Sequence, residues 1–140
     1  MNKVIDALPA AHSAKRFAPS SRSILCVDAD DESRHLIAEL LYEHEVDFAL
    51  TADDAIQLAH SRSYELYFVD PAVPGFCAST LFHELRRYNP GAPIIICASH
   101  RYTAPDGAMD AFLDKPLCLS AIRQTAQRLL RDGHCGAACA

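Results

Sequence analysis

The sequence predicts an α/β fold, a single three-layer domain in which helices cover both faces of a parallel sheet. Short apolar runs alternate with amphipathic segments over about 110 residues, as repeated βαβ units do. Several of these runs are continuous and contain no polar residue, which is typical of strands buried on both faces. The chain has 140 residues, enough for one ordinary domain and too few for two.

Five strands are predicted along the chain. The second is the weakest because Asp47 interrupts its apolar run, and the fourth, after Pro93, is the most strongly apolar. We place the strands at residues 24–27, 46–50, 66–69, 94–98 and 111–113.

Four helices lie between and after these strands. Each carries apolar residues at helical spacing, and the first does so from Leu36 to Leu41. Asn89-Pro90-Gly91 ends the third helix. The N-caps are predicted at Asp53 or Asp54 for the second helix, Ser79 or Thr80 for the third and Ser120 for the last.

Composition excludes several function classes. The net charge of −5 and the pI near 5.7 argue against a nucleic-acid-binding protein. No apolar run approaches the roughly 18 residues that a membrane helix needs. Residues 1–22 are weakly basic and lack a continuous apolar core, so we expect a flexible leader and no secretory signal.

The six cysteines favour reduced thiols and a cytoplasmic location. Cys26 and Cys97 lie inside predicted buried strands, where a free thiol acts as a small hydrophobic group. His134, Cys135 and Cys139 could supply three metal ligands, but no second ligand pair is evident. We therefore expect residues 132–140 to form a C-terminal tail with incidental thiols.

Charged side chains end three of the strands. Asp28 follows the first strand, Asp70 the third and Lys115 the fifth. Because ligands of parallel α/β sheets bind beyond the carboxyl ends of the strands, these side chains should converge. A carboxylate there can act as a nucleophile toward a phosphoryl group, a second carboxylate can hold a divalent cation, and a lysine can pair with a phosphoryl oxygen.

The segment from about Ser23 to Arg131 resembles the receiver domain of two-component response regulators. Three motifs carry the resemblance: residues 24–31 with Asp28, residues 64–75 with Asp70, and residues 114–117 with Lys115 before Pro116. It implies a flavodoxin-like sheet with strand order 2-1-3-4-5, and Asp70 as phosphoacceptor assisted by Lys115. It also implies Mg²⁺ held by Asp28, Asp70 and the Ala72 carbonyl, with a histidine kinase or histidine phosphotransfer protein as phosphodonor.

The sequence departs from the family pattern near the expected site. Ala29 replaces the second acid after the first strand, which should weaken Mg²⁺ binding, although Asp30 could compensate. The switch hydroxyl position falls on Ala98, with Ser99 next to it, and the aromatic switch position matches Phe112. Lys115 follows Ala98 by only 115 − 98 = 17 positions, and Pro105-Asp106-Gly107 predicts a turn, so the family's fourth helix should be shortened.

Three functions remain open at this stage. The first is a single-domain receiver, spanning residues 23–131, that takes phosphate on Asp70 and signals to a downstream protein partner. It would be no metabolic enzyme and would at most promote its own phosphorylation and dephosphorylation. The second is a pseudo-receiver that binds proteins without being phosphorylated. The third is a phosphatase of the haloacid-dehalogenase type, suggested by Asp28-Ala29-Asp30.

Overall fold

A computed structural model describes residues 21–100, 102 and 109–139, with side chains as far as Arg131. Five strands, numbered along the chain, form one sheet in the order 2-1-3-4-5, and every neighbouring pair is parallel. The predicted fold class and strand order are confirmed. The strands are β1 (Ser23–Val27), β2 (Glu45–Ala49), β3 (Leu66–Val69), β4 (Ile94–Ala98) and β5 (Ala111–Asp114).

Helices pack on both faces of this sheet. On β1, Leu25 and Val27 point into one core and Ile24 and Cys26 into the other. This two-sided burial explains the uninterrupted apolar runs of the sequence. Apolar residues of the second and third helices complete the first core, and those of the first and fourth helices complete the second. The helices within the described residues are α1 (Asp31–Leu40), α2 (Ala52–Ser61), α3 (Ala78–Tyr88) and α4 (Leu119–Cys139).

The predicted helix caps are wrong, and each lies too far along the chain. Thr51 caps α2, because its side chain accepts a hydrogen bond from the Asp54 N–H at 3.1 Å. Cys77 occupies the N-cap position of α3, and α4 begins at Leu119, before Ser120. The residues predicted as caps lie in the first turn, where acids and hydroxyls are also favoured. Composition alone does not separate these neighbouring positions.

Three predicted segments fall wholly or partly outside the described residues. They are the leader, of which 21 and 22 are described, the shortened helix near 101–107, and the thiol side chains of the tail. α4 continues to Cys139, through the segment assigned to that tail. Among the described residues, no helix is both long enough and apolar enough to cross a bilayer.

The loop after β3 is fastened to the start of α2. The Ala52 N–H donates to the Pro74 carbonyl at 2.8 Å. Gly75 follows with φ of +115°, and a Cβ atom there would lie 3.0 Å from Asp53 Oδ1. The positive φ therefore favours glycine at this position, and an added Cβ would also crowd Asp53 and Ala52. This loop carries the residues that follow Asp70.

Candidate functional site

Asp28, Asp70 and Lys115 meet at the carboxyl edge of the sheet. Lys115 Nζ lies 2.7 Å from Asp70 Oδ2 and 3.0 Å from Asp28 Oδ1. The Asp28 side chain is 2% exposed, that of Lys115 10% and that of Asp70 16%. The structure thus brings together the three charged strand ends that the sequence singles out, and Asp70 is the more accessible of the two carboxylates.

Backbone hydrogen bonds extend the sheet to these residues. The Asp70 N–H donates to the Val27 carbonyl at 2.8 Å, and the Asp28 N–H donates to the Ala49 carbonyl at 2.9 Å. The Lys115 N–H donates to Ala98 at 2.9 Å, next to the cis peptide bond that joins Lys115 to Pro116. Each functional side chain therefore stands on a continuation of the rigid ladder.

Burial and charge act in opposite directions on this group. Burial raises the pKa of Asp28 above its usual value, and the hydrogen bonds from the Asp30 N–H and Lys115 only partly offset it. Burial alone would lower the pKa of Lys115, but hydrogen bonds to Asp70 and Asp28 outweigh it and raise that pKa. Lys115 is consequently a cation at neutral pH, held between two carboxyl groups.

The turn after β1 contributes one carboxylate to the site. Ala29 is exposed, and the carboxylate of Asp30 accepts hydrogen bonds from the Ser33 hydroxyl at 2.7 Å and the Ser33 N–H at 3.2 Å. The hydroxyl donation lowers the pKa of Asp30. Asp30 is thus the N-cap of α1, and the hydrogen bonds from Ser33 engage its Oδ2 atom.

The oxygen donors at the site suit a hard divalent cation. The Ala72 N–H donates to Asp70 Oδ1 at 2.9 Å, which places Ala72 beside this carboxylate. Two carboxylates and a backbone carbonyl are the oxygen ligands that Mg²⁺ prefers, and it commonly uses only one or two carboxylates. Within the described ranges, no cluster of three or more His, Cys, Asp or Glu side chains forms a metal site. Asp28 and Asp70 are thus the two carboxylates at this edge that a divalent cation could use.

A cavity of about 410 Å³ opens beside Asp70. Ala98, the last residue of β4, is buried against it, and Ser99 follows the strand end and is exposed. Phe112 lies on β5 and packs against the core on the α2–α3 side of the sheet. The cavity is lined by Asp70, Pro71, Ala72, Ala98, Ser99, His100 and Tyr102.

Sequence reasoning missed three residues around this site. His100 and Tyr102 line the cavity, and the Tyr102 ring packs on Phe82 of α3 with centroids 5.9 Å apart. Arg34 of α1 donates from Nη1 to the Asp28 carbonyl at 3.0 Å. The sequence places Arg34 in an amphipathic helix. The direction of its side chain, however, depends on which residue caps that helix, and the sequence does not settle this.

Solved structures with the same architecture are receiver domains. A CheY-like receiver domain protein from Methanospirillum hungatei JF-1 superposes with a TM-score of 0.75 and 19% identity, covering 81% of this chain and 97% of that chain. The signal receiver domain of an HD domain-containing protein from Pseudomonas fluorescens Pf-5 gives a TM-score of 0.74 and 21% identity, with 81% and 98% coverage. The chain therefore has the receiver-domain fold.

Sequence comparison agrees with this fold. A response regulator receiver protein of Anaeromyxobacter sp. (strain Fw109-5) is 30% identical over 92 residues, which are 64% of this chain and 37% of that protein. The receiver domain thus spans little more than a third of the length of this curated relative. No protein-family model matches the chain.

Proposed function

We propose that this receiver domain accepts a phosphoryl group on Asp70. The observation that carries the proposal is the triad of Asp70, Asp28 and Lys115, with Lys115 Nζ within 3.0 Å of both carboxylates. A packed fold gains little from two carboxylates and a lysine largely removed from water. Phosphoryl transfer, by contrast, needs a nucleophile and positive charge at one point.

In the proposed step, an Asp70 carboxylate oxygen bonds to phosphorus as the bond from phosphorus to the donor breaks. With a phosphohistidine donor, the leaving group is the imidazole nitrogen, which keeps the bonding electrons and then takes a proton. The product is an acyl phosphate. Lys115, already 2.7 Å from Asp70, stays close enough to pair with a phosphoryl oxygen.

The cation site in this proposal consists of Asp28, Asp70 and the Ala72 carbonyl. When bound, Mg²⁺ supplies positive charge to the phosphoryl oxygens. The proposed phosphodonor is a histidine kinase or a histidine phosphotransfer protein, and a downstream protein partner responds to the phosphorylated state. The missing acid at Ala29 leaves the site one negative charge short, so we expect weak Mg²⁺ binding.

A second function is favoured by two alanines at the site. Ala29 is exposed where the family has an acid, and Ala98 is buried where it has a hydroxyl. A pseudo-receiver that binds a protein partner without phosphorylation would need neither group. The two functions differ in one measurable property, which is the chemistry at Asp70.

Intact mass spectrometry after incubation with acetyl phosphate and Mg²⁺ tests the proposal. We expect one labile phosphoryl group on the wild-type protein and none on Asp70→Asn. Asp114→Asn is the matched control, because Asp114 is an exposed acid at the end of β5 and should leave the adduct intact. An adduct that persists in Asp70→Asn, or that maps to Asp28, would contradict the proposal. An unmodified wild-type protein at high Mg²⁺ would favour the pseudo-receiver.

A further inference from the structure

Arg34 connects α1 to the turn that carries Asp28. Its Nη1 donates to the Asp28 carbonyl at 3.0 Å, and its Nη2 pairs with the Asp31 carboxylate. The Arg34 side chain is 19% exposed, so the guanidinium lies mostly out of solvent. A hydrogen bond from a charged donor in such surroundings is stronger than a neutral one.

The same turn is held from its other side by the side chain of Asp28. The Asp30 N–H donates to Asp28 Oδ1 at 2.9 Å. Two hydrogen bonds therefore fix Asp28. Arg34 holds its backbone carbonyl, and the Asp30 N–H holds its carboxylate. Loss of the contact at the Asp28 carbonyl would therefore leave this turn with one of its two anchors.

The orientation of Asp28 matters more here because its turn offers no second acid. Ala29 carries no carboxylate, and that of Asp30 is engaged with Ser33. Asp28 is therefore the carboxylate of this turn that contacts Lys115. A change in the direction of this one side chain would remove that contact from the site.

We propose that Arg34 is a positioning residue, which holds the turn so that the Asp28 carboxylate faces Lys115 and Asp70. This inference rests on the proposed function at Asp70. Arg34 takes no part in bond formation, and its effect on phosphorylation passes through Asp28. Loss of Arg34 should therefore raise the Mg²⁺ concentration needed for phosphorylation and leave the rate at saturating Mg²⁺ nearly unchanged.

Arg34→Met tests this, since it keeps the length of the side chain and removes its donors. We expect the Mg²⁺ concentration for half-maximal labelling by acetyl phosphate to rise about tenfold, the effect of one charge-assisted hydrogen bond. Arg34→Lys keeps one charged donor, so its half-maximal Mg²⁺ concentration should lie between those of Arg34→Met and the wild type. Asp31→Asn is the matched control, because it weakens an exposed ion pair and leaves the Asp28 contact, and it should behave like the wild type.

Hydrogen exchange of the Asp30 amide gives a readout that does not depend on phosphorylation. Faster exchange in Arg34→Met, without faster exchange in the sheet, would support the proposal even if the wild type took no phosphate and the proposed function failed. If Arg34→Met does not fold, the Mg²⁺ dependence of labelling and the exchange of the Asp30 amide in Arg34→Lys test the proposal instead. Folded variants with wild-type Mg²⁺ dependence and wild-type Asp30 exchange would overturn the proposal.

Discussion

At the scale of single residues, Asp28 is a carboxylate in surroundings that disfavour its charged form. It is 2% exposed, and burial raises its pKa despite a lysine in contact. Alanine at position 29 avoids a further unfavourable interaction, because a second acid would add another negative charge beside Asp28. Under the proposed function, the wild-type sequence therefore trades affinity for Mg²⁺ against the cost of concentrating negative charge beside Asp28.

This trade predicts the effect of restoring the acid. Ala29→Asp should lower the Mg²⁺ concentration for half-maximal phosphorylation of Asp70 by about tenfold, because a ligand carboxylate is added next to the site. Ala29 is exposed, so the longer side chain displaces no core atoms. Acetyl phosphate labelling over a Mg²⁺ titration measures the change.

Ala29→Asn is the control for that substitution, since it has the shape of Asp without its charge and should change the Mg²⁺ dependence much less. Equal shifts for Asp and Asn would mean that charge at position 29 is irrelevant. A wild type and an Ala29→Asp variant that both stay unlabelled would show that the site is lost more broadly.

At the scale of elements, the helices begin with caps of different quality. Asp30 and Thr51 accept backbone hydrogen bonds from their helices, whereas the side chain of Cys77 makes no capping hydrogen bond to α3. Caps of this kind are worth about 1 kcal/mol of the free energy of unfolding. α2 is also the helix to which the loop after Asp70 is fastened, through Ala52 and Pro74.

Thr51→Val removes the capping oxygen with little change of shape. We expect the free energy of unfolding to fall by about 1 kcal/mol, because the Asp54 N–H loses its acceptor. Urea denaturation measures this loss. Thr51→Ser serves as control, since it keeps the hydroxyl oxygen that accepts from the Asp54 N–H and serine caps helices at least as well as threonine. Equal losses in both variants would mean that the cap contributes nothing.

The sequence predicts the strands and the three charged strand ends correctly. It does not predict the helix caps or the side-chain contacts in the turns. Strands buried on both faces leave continuous apolar runs, and the geometry of parallel sheets brings Asp28, Asp70 and Lys115 together. The role of Asp30 depends on which residue starts α1, and a change of one residue rotates every side chain of a helix by about 100°. Arg34 and its contact with Asp28 could not be predicted for the same reason.

At the scale of the whole molecule, His44 ties the start of the sheet to the connection between α1 and β2. The Arg22 N–H donates to His44 Nδ1 at 3.0 Å, so this nitrogen accepts the hydrogen bond and carries no proton. Burial lowers the pKa of His44, Arg22 and Arg123 lower it further, and Glu43 and Glu65 only partly oppose this. The folded state therefore binds a proton on His44 less readily than the unfolded chain does.

This difference predicts a loss of stability in mild acid. Stability rises with pH wherever the unfolded state binds more protons, so the contribution of neutral His44 is present above pH ~6.5 and is lost as pH falls below that value. The melting temperature of His44→Gln should fall less between pH 7 and pH 5 than that of the wild type. His83→Gln, at an exposed site on α3, should follow the wild type. Identical pH profiles for all three proteins would contradict the prediction.

Lys115 has one more consequence, which concerns synthesis. Its two partners lie 45 and 87 positions earlier in the chain. Contacts between residues so far apart in the chain carry a loop-closure cost, which the ordering of the intervening strands must offset. Lys115 is also synthesised after both of its partners. Under the proposed function, a fragment that ends before residue 115 would therefore hold Asp70 without its cation and should accept no phosphate.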